Sequence, residues 1–172
     1  MALFQVLAAS ADSVVRAGNK LYSVLACGGK IFFCGNGGSA SAAQHMAAEL
    51  TGRFVKERRP LAAIALTTDT SALTAIANDY GYEQVFARQL RALGSGDDCL
   101  VVLSTSGNSP NVVEAASAAK SIGMEVVGLL GRTGGAVVDL CDIAILVPSD
   151  VTARIQEAHE FIGHALCAHI DR

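Results

Sequence analysis

Apolar residues between Leu3 and Ala26 recur at helical spacing (Leu3, Leu7, Val14, Val15, Leu21, Leu25), and the pattern stops at Gly28-Gly29, so a first helix is expected over 3–26. Lys30 to Cys34 is then a short continuous apolar run, the look of a strand buried on both faces. Similar runs recur at Leu61 to Leu66, Cys99 to Ser104, Met124 to Leu130 and Ile143 to Val147. Helical spacing fills the gaps: Ser39 to Thr51, Ser71 to Asn78, Tyr82 to Leu93, Pro110 to Ile122, a poorer stretch near Val137, and Thr152 to Ile170. Strand and helix alternate, which predicts right-handed crossovers and an α/β fold: a five-stranded parallel sheet with helices on both faces. In such sheets ligands bind beyond the carboxyl ends of the strands. The loops to read closely are therefore Gly35 to Ser39, Thr67 to Ser71 and Ser104 to Ser109.

Composition narrows the picture. The chain has 172 residues, 51% hydrophobic and 17% charged, enough to bury one core, and without a linker or repeat it reads as a single domain over 1–172. A net charge of -3 and the absence of a basic run argue against a nucleic-acid partner. Charged or small polar residues interrupt every apolar stretch well short of a membrane span, and no basic segment followed by a long apolar core opens the sequence. A cytoplasmic protein without a membrane partner is expected. Cys27, Cys34, Cys99, Cys141 and Cys167 are scattered, without a Cys-x-x-Cys pair, and are expected to be reduced and buried.

Two loops can take a phosphate. Ser104-Thr105-Ser106-Gly107-Asn108-Ser109-Pro110 offers hydroxyls and backbone N–H groups, with Ser109 as N-cap and Pro110 as first helical residue. A helix N-terminus directs free N–H groups and a positive dipole end at an anion. The loop has no Lys, which excludes the nucleotide P-loop and favours a sugar phosphate. Gly35-Asn36-Gly37-Gly38-Ser39 permits close backbone approach to a ligand, but it lacks the Gly-x-Gly-x-x-Gly spacing of a dinucleotide site.

The helix leaving the glycine loop carries His45 and Glu49 on one face, a metal or acid–base pair or else a solvated ion pair. Gln156, Glu160 and His164 line one face of the last helix at spacings of four, while His159 and His169 fall off that line and read as packing or surface residues. Asn78-Asp79 reads equally as a sugar contact and as a helix stop.

Together Cys34-Gly-Asn-Gly-Gly-Ser39, Gln44-His45-x-x-x-Glu49-Leu50-x-Gly52-Arg53, Ala77-Asn78-Asp79, Ser104-Thr-Ser-Gly-Asn-Ser109 and Arg154-Ile-Gln-Glu-Ala-His159, with His164 beyond, resemble the bacterial phosphoheptose isomerases of the sugar isomerase (SIS) domain family. The resemblance implies a three-layer flavodoxin-like fold, with the N-terminal helix packing on the domain or on a neighbouring subunit. A homotetramer with sites at subunit interfaces is implied as well. It further implies an enediol isomerisation of sedoheptulose 7-phosphate to D-glycero-D-manno-heptose 7-phosphate, the first step toward nucleotide-activated heptose and surface glycans such as lipopolysaccharide. One zinc ion per subunit would be held by His45, Glu49, Gln156 and His164. Glu49 would be the catalytic base and His164 the acid. Substrate contacts fall on Asn36, Gly37, Gly38, Ser39, Glu49, Asn78, Asp79, Ser104, Thr105, Ser106, Ser109 and Gln156. Two departures stand out: Ala153 replaces an Asp that reaches the substrate in some members, and the N-terminal helix is short for the family. The alternative is a non-catalytic SIS protein that binds a phosphosugar or a replication-initiator partner; such relatives lack the Glu/His pair present here.

Overall fold

Strands β1 (Ile31–Gly35) and β3 (Cys99–Ser104) are buried along their whole length, as strands covered on both faces must be. In the computed structural model, which describes residues 8–172, they lie side by side at the centre of a parallel sheet ordered β2-β1-β3-β4-β5. β2 is Ala63–Ala65, β4 Glu125–Gly131 and β5 Ile143–Val147. Chain order reverses between β1 and β3, paired from Ile31 on Cys99 to Gly35 on Leu103. That reversal opens a crevice just past Gly35 and Ser104.

Alternate residues of the strands feed two cores. On one face Ile31, Phe33, Val101, Leu103 and Leu129 meet α1 (Ala11–Ala26), α2 (Gly38–Thr51) and α6 (Thr152–Ile170). On the other, Phe32, Cys34, Leu100, Val102 and Leu130 meet α4 (Val85–Leu93) and α5 (Pro110–Ile122). Each fully buried Leu or Phe contributes about 1.5–3 kcal/mol. α3 (Thr70–Tyr80) lies between β2 and α4 and has no buried residue.

The expected elements are present with local differences. β2 is shorter than the run Leu61 to Leu66 because only Ala63–Ala65 pair with β1, while Leu61, buried, bonds Leu50 O outside the sheet. The stretch near Val137 is a 3-10 turn, Gly135–Leu140, and Tyr82–Gln84 is another that leads into α4. The first helix begins at Ala11 after a turn at Ala8–Ser10, and the expected portion before Ala8 lies outside the described residues. All five cysteines are free, and Cys34, Cys99 and Cys167 are buried, but Cys141 is half-buried and Cys27 caps the end of α1 and is exposed. Burial pushes the Cys99 and Cys167 thiols up to about 12, so both are inert.

Candidate active site

Both loops gather at the crevice. Ser104 Oγ accepts from Gly107 N at 2.9 Å and Ser106 Oγ accepts from Asn108 N at 3.2 Å, so two hydroxyls shape the loop as acceptors and keep their own protons to donate. Gly107 sits at φ 67 with its Cα against the Gly134 backbone, where any side chain would collide. Val137 N donates to Gly107 O at 3.0 Å, and Ala136 N to Asn108 Oδ1 at 2.9 Å, so the turn after β4 braces the loop from behind. Ser109 is the N-cap of α5, with Pro110 in its first turn, yet its hydroxyl makes no capping bond. That hydroxyl is left for a ligand.

Between the loops lies a polar pocket of about 70 Å³ lined by Asn36, Ser39, Ser104, Thr105, Ser109 and Gln156. It is the size of a phosphoryl group rather than of a whole sugar. A larger groove of about 380 Å³ between α1 and α6, lined by Val14, Val15 and Ala165, has no ionisable side chain and suits no phosphosugar. Gly37, at φ 54, starts α2, and the Gln156 amide packs directly on Gly38. Asn78 and Asp79 lie exposed at the end of α3, Asn78 Nδ2 donating to Asp79 Oδ1 at 2.8 Å; neither lines the pocket.

About two turns further along α2 and α6 is a second cluster. Gly163 lets Met46 lie against the α6 backbone, where a Cβ would meet Met46 Sδ at 3.0 Å, and the residues beside this contact are His45 and His164. Their Nε2 atoms are 2.9 Å apart, within hydrogen-bond distance. Glu49 Oε1 stands 3.6 Å from His45 Nε2, and the Phe54 ring flanks His164 at 5.5 Å between centroids. His45, Glu160 and His164 bring donor atoms within 4.8 Å of one another.

The donor set suits zinc, which takes His nitrogens at about 2.0–2.1 Å and carboxylate oxygens at about 2.0–2.2 Å; small side-chain movements would bring these atoms to such distances. Of the residues implied as ligands, His45 and His164 meet, Glu49 borders them, and Gln156 points instead at the glycine loop. Glu160 takes the neighbouring position. Its place on the Gln156–His164 line is readable from spacing alone, but only the crossing of α2 shows which of the three meets His45.

His159 lies one residue before Glu160 on the core side, 1% exposed. Burial lowers its pKa to about 4, the Leu130 backbone offsetting part of that, so it packs as a neutral ring. His169 is at the surface, 2.8 Å from Asn19 Oδ1. Asn111 and Tyr82, which no local pattern marked, both bond Asn36.

Residues 2–131 match the family model described as SIS domain. The chain is 59% identical over 161 residues to the phosphoheptose isomerase of Solidesulfovibrio magneticus, covering 94% of this chain and 78% of that one. It is 62% identical over 144 residues to the phosphoheptose isomerase of Helicobacter pylori strain P12, covering 84% and 75%. The solved phosphoheptose isomerase of Neisseria gonorrhoeae superposes with a TM-score of 0.92 at 49% identity, covering 98% of this chain and 91% of that one. With a phosphate-sized pocket about two turns from a His/Glu cluster, the chain belongs to the SIS-domain family and within it to the phosphoheptose isomerases, as a sugar-phosphate isomerase of heptose biosynthesis.

Proposed function

We propose that this enzyme converts sedoheptulose 7-phosphate to D-glycero-D-manno-heptose 7-phosphate through an enediol. The observation that carries this reading is the 2.9 Å meeting of His45 and His164, with Glu49 beside them, along the helices that lead away from the phosphate-sized pocket. The phosphate sits at the N-terminus of α5, taking hydrogen bonds from Thr105, Ser106 and Ser109. Ser39, Gln156 and the Gly37-Gly38 backbone hold the adjoining part of the sugar. A ketose–aldose shift moves a proton between C1 and C2, which needs a base at carbon and an acid serving the oxygens. Glu49 takes the carbon-bound proton and returns it to the neighbouring carbon, while His164 supplies and recovers the oxygen-bound proton. Asn78 and Asp79 are assigned to sugar hydroxyls.

His45 and His164, with a carboxylate from Glu49 or Glu160, would hold one zinc ion per subunit. Zinc supplies polarisation of the carbonyl oxygen and charge stabilisation beside it. A carboxylate on zinc is a weaker base, so the presence of Glu160 leaves Glu49 free to act on carbon. A homotetramer with sites at subunit interfaces fits the uncovered surface: α3 has no buried residue, and Val15, Tyr22 and Tyr80 are about half exposed. No helix among the described residues is long and apolar enough to cross a membrane, and the cytoplasm is the proposed compartment.

The test is an isomerisation assay on sedoheptulose 7-phosphate with and without a chelator. Turnover that is lost on chelation and restored by zinc is expected. Turnover undiminished after complete metal removal would take zinc out of the reaction, and a silent assay with intact substrate binding would overturn the isomerase assignment in favour of a sensor.

A further inference from the structure

Asn36 is held unusually tightly for a residue in a ligand loop. Its Oδ1 accepts from Asn111 Nδ2 at 2.8 Å and from the Tyr82 hydroxyl at 3.2 Å, while its Nδ2 donates to Asn111 Oδ1 at 2.8 Å. A primary amide has two acceptor sites and two N–H donors. Both acceptor sites of Asn36 are therefore filled and one donor is taken. A single N–H remains, on a residue that lines the phosphate-sized pocket with Ser104, Thr105 and Ser109.

Asn111 is the second residue of α5, directly behind the phosphate loop, and is only 2% exposed. It does not line the pocket, and its amide is engaged with Asn36. The amide pair joins the end of β1 to the start of α5 across 75 positions of sequence. Two neutral amides can close such a ring at no charge cost, whereas a lone buried amide would leave polar atoms unpaired. The pair thus fixes both the separation of the two loops and the direction of the spare N–H.

We propose that Asn111 is a positioning residue that clamps Asn36 as a dedicated hydrogen-bond donor to the anionic end of the substrate, with Tyr82 holding the outer side of the same amide. The assignment rests on the sugar-phosphate reading of the pocket. It makes Asn36 selective for oxygen acceptors, since an incoming donor group finds no free lone pair there. Asn111 acts on binding alone: an anchor that grips the phosphate equally in ground and transition states changes KM and leaves kcat in place.

The experiment measures kcat and KM on sedoheptulose 7-phosphate, and the Kd of inorganic phosphate by calorimetry, for Asn111→Ser, Asn36→Ala, the double variant and Tyr82→Phe. A hydrogen bond to a charged group is worth roughly tenfold or more in affinity. Asn111→Ser and Asn36→Ala are each expected to raise KM and the phosphate Kd about tenfold, with kcat within about threefold, and the double variant to be no worse than the weaker-binding single. Equal phosphate affinity in Asn111→Ser and wild type, or single effects that multiply in the double variant, would overturn the clamp. A merely structural Asn111 would lower the amount of folded enzyme and spare KM. Should Asn111→Ser fail to fold, Tyr82→Phe decides, because Tyr82 is 57% exposed and removing its hydroxyl leaves the core intact. It is expected to weaken phosphate binding about threefold alone and not at all in the Asn36→Ala background; no loss in either background overturns the proposal. The phosphate arm is independent of the sugar: wild type that binds phosphate without turning over the heptose defeats the substrate assignment and still tests the clamp.

Discussion

The two ends of β1 and β3 handle polarity in opposite ways. At the entry end Asp98 is 1% exposed, and its carboxylate accepts from Lys30 N at 2.7 Å, Ser95 N at 2.8 Å and Ser95 Oγ at 3.0 Å while pairing with Lys30 Nζ at 2.9 Å. Burial alone would raise its pKa; the Lys30 and Ser95 donors outweigh that and hold the carboxyl below its usual range. At the exit end the polar groups stay within reach of a ligand. His45 keeps 43% of its side chain exposed, Glu49 keeps 22%, and Ser109 has no capping bond to make. A charge whose bonds are all filled by its own chain can only hold the fold. Groups with unfilled capacity, presented on well-packed helices, are what a ligand and a proton transfer need.

The comparison breaks most sharply at the exit end. Glu49→Gln and His164→Gln are each expected to lower kcat on the heptose phosphate about a thousandfold or more, near 4 kcal/mol of barrier, since each removes a proton-transfer group. Thermal midpoints should stay within a few degrees of wild type, because neither residue is buried. Either variant turning over within tenfold of wild type would remove that residue from the chemistry.

At the entry end the converse holds. Asp98→Asn puts an amide N–H₂ against the Lys30 and Ser95 donors, a loss of about 2–4 kcal/mol read as a lower urea midpoint at unchanged slope, with kcat of the folded enzyme unaltered. The pH dependence has a fixed sign. Because the folded pKa lies below the unfolded value of about 3.9, the Asp98 contribution is complete above that pH and is lost as pH falls through the folded value. The gap between wild type and Asp98→Asn is therefore level from about pH 8 to 5 and narrows only below about pH 4. A gap that closes near neutrality would show that another group carries the stability.

The same contrast explains what could be read from the chain beforehand. Strands buried on both faces announce themselves as apolar runs, so β1, β3 and β4 and the loops after β1 and β3 were legible, and β5, buried on alternate residues, is apolar throughout and was legible too. β2 was overextended because Leu61 and Leu66 are buried, and so continue the apolar run, although only Ala63–Ala65 pair with β1. The 3-10 turn at Gly135–Leu140 was blurred by apolar residues that pack under α5 without helical spacing. His45, Glu49 and His164 were visible as spaced pairs. Glu160 was on the same line as Gln156, and only the closeness of α2 and α6 at Gly163 sorts one toward the histidines and the other toward Gly38. Asn111 and Tyr82 had no local signature, because their partner Asn36 lies 75 and 46 positions away.

The smallest expected effect separates two uses of one hydroxyl. Ser109 occupies the N-cap of α5, where a side chain that bonds the first turn typically adds about 1 kcal/mol of stability. Its hydroxyl makes no such bond and lines the pocket instead. Ser109→Ala is therefore expected to leave the urea midpoint unchanged and to raise KM about three- to tenfold with kcat nearly constant, as for one lost hydrogen bond to a phosphate oxygen. The opposite outcome, a midpoint lowered by about 1 kcal/mol with KM unmoved, would assign Ser109 to the helix. The phosphate would then rest on Thr105, Ser106 and the α5 backbone, since Ser106 already lends its oxygen to Asn108 N while keeping its proton to donate.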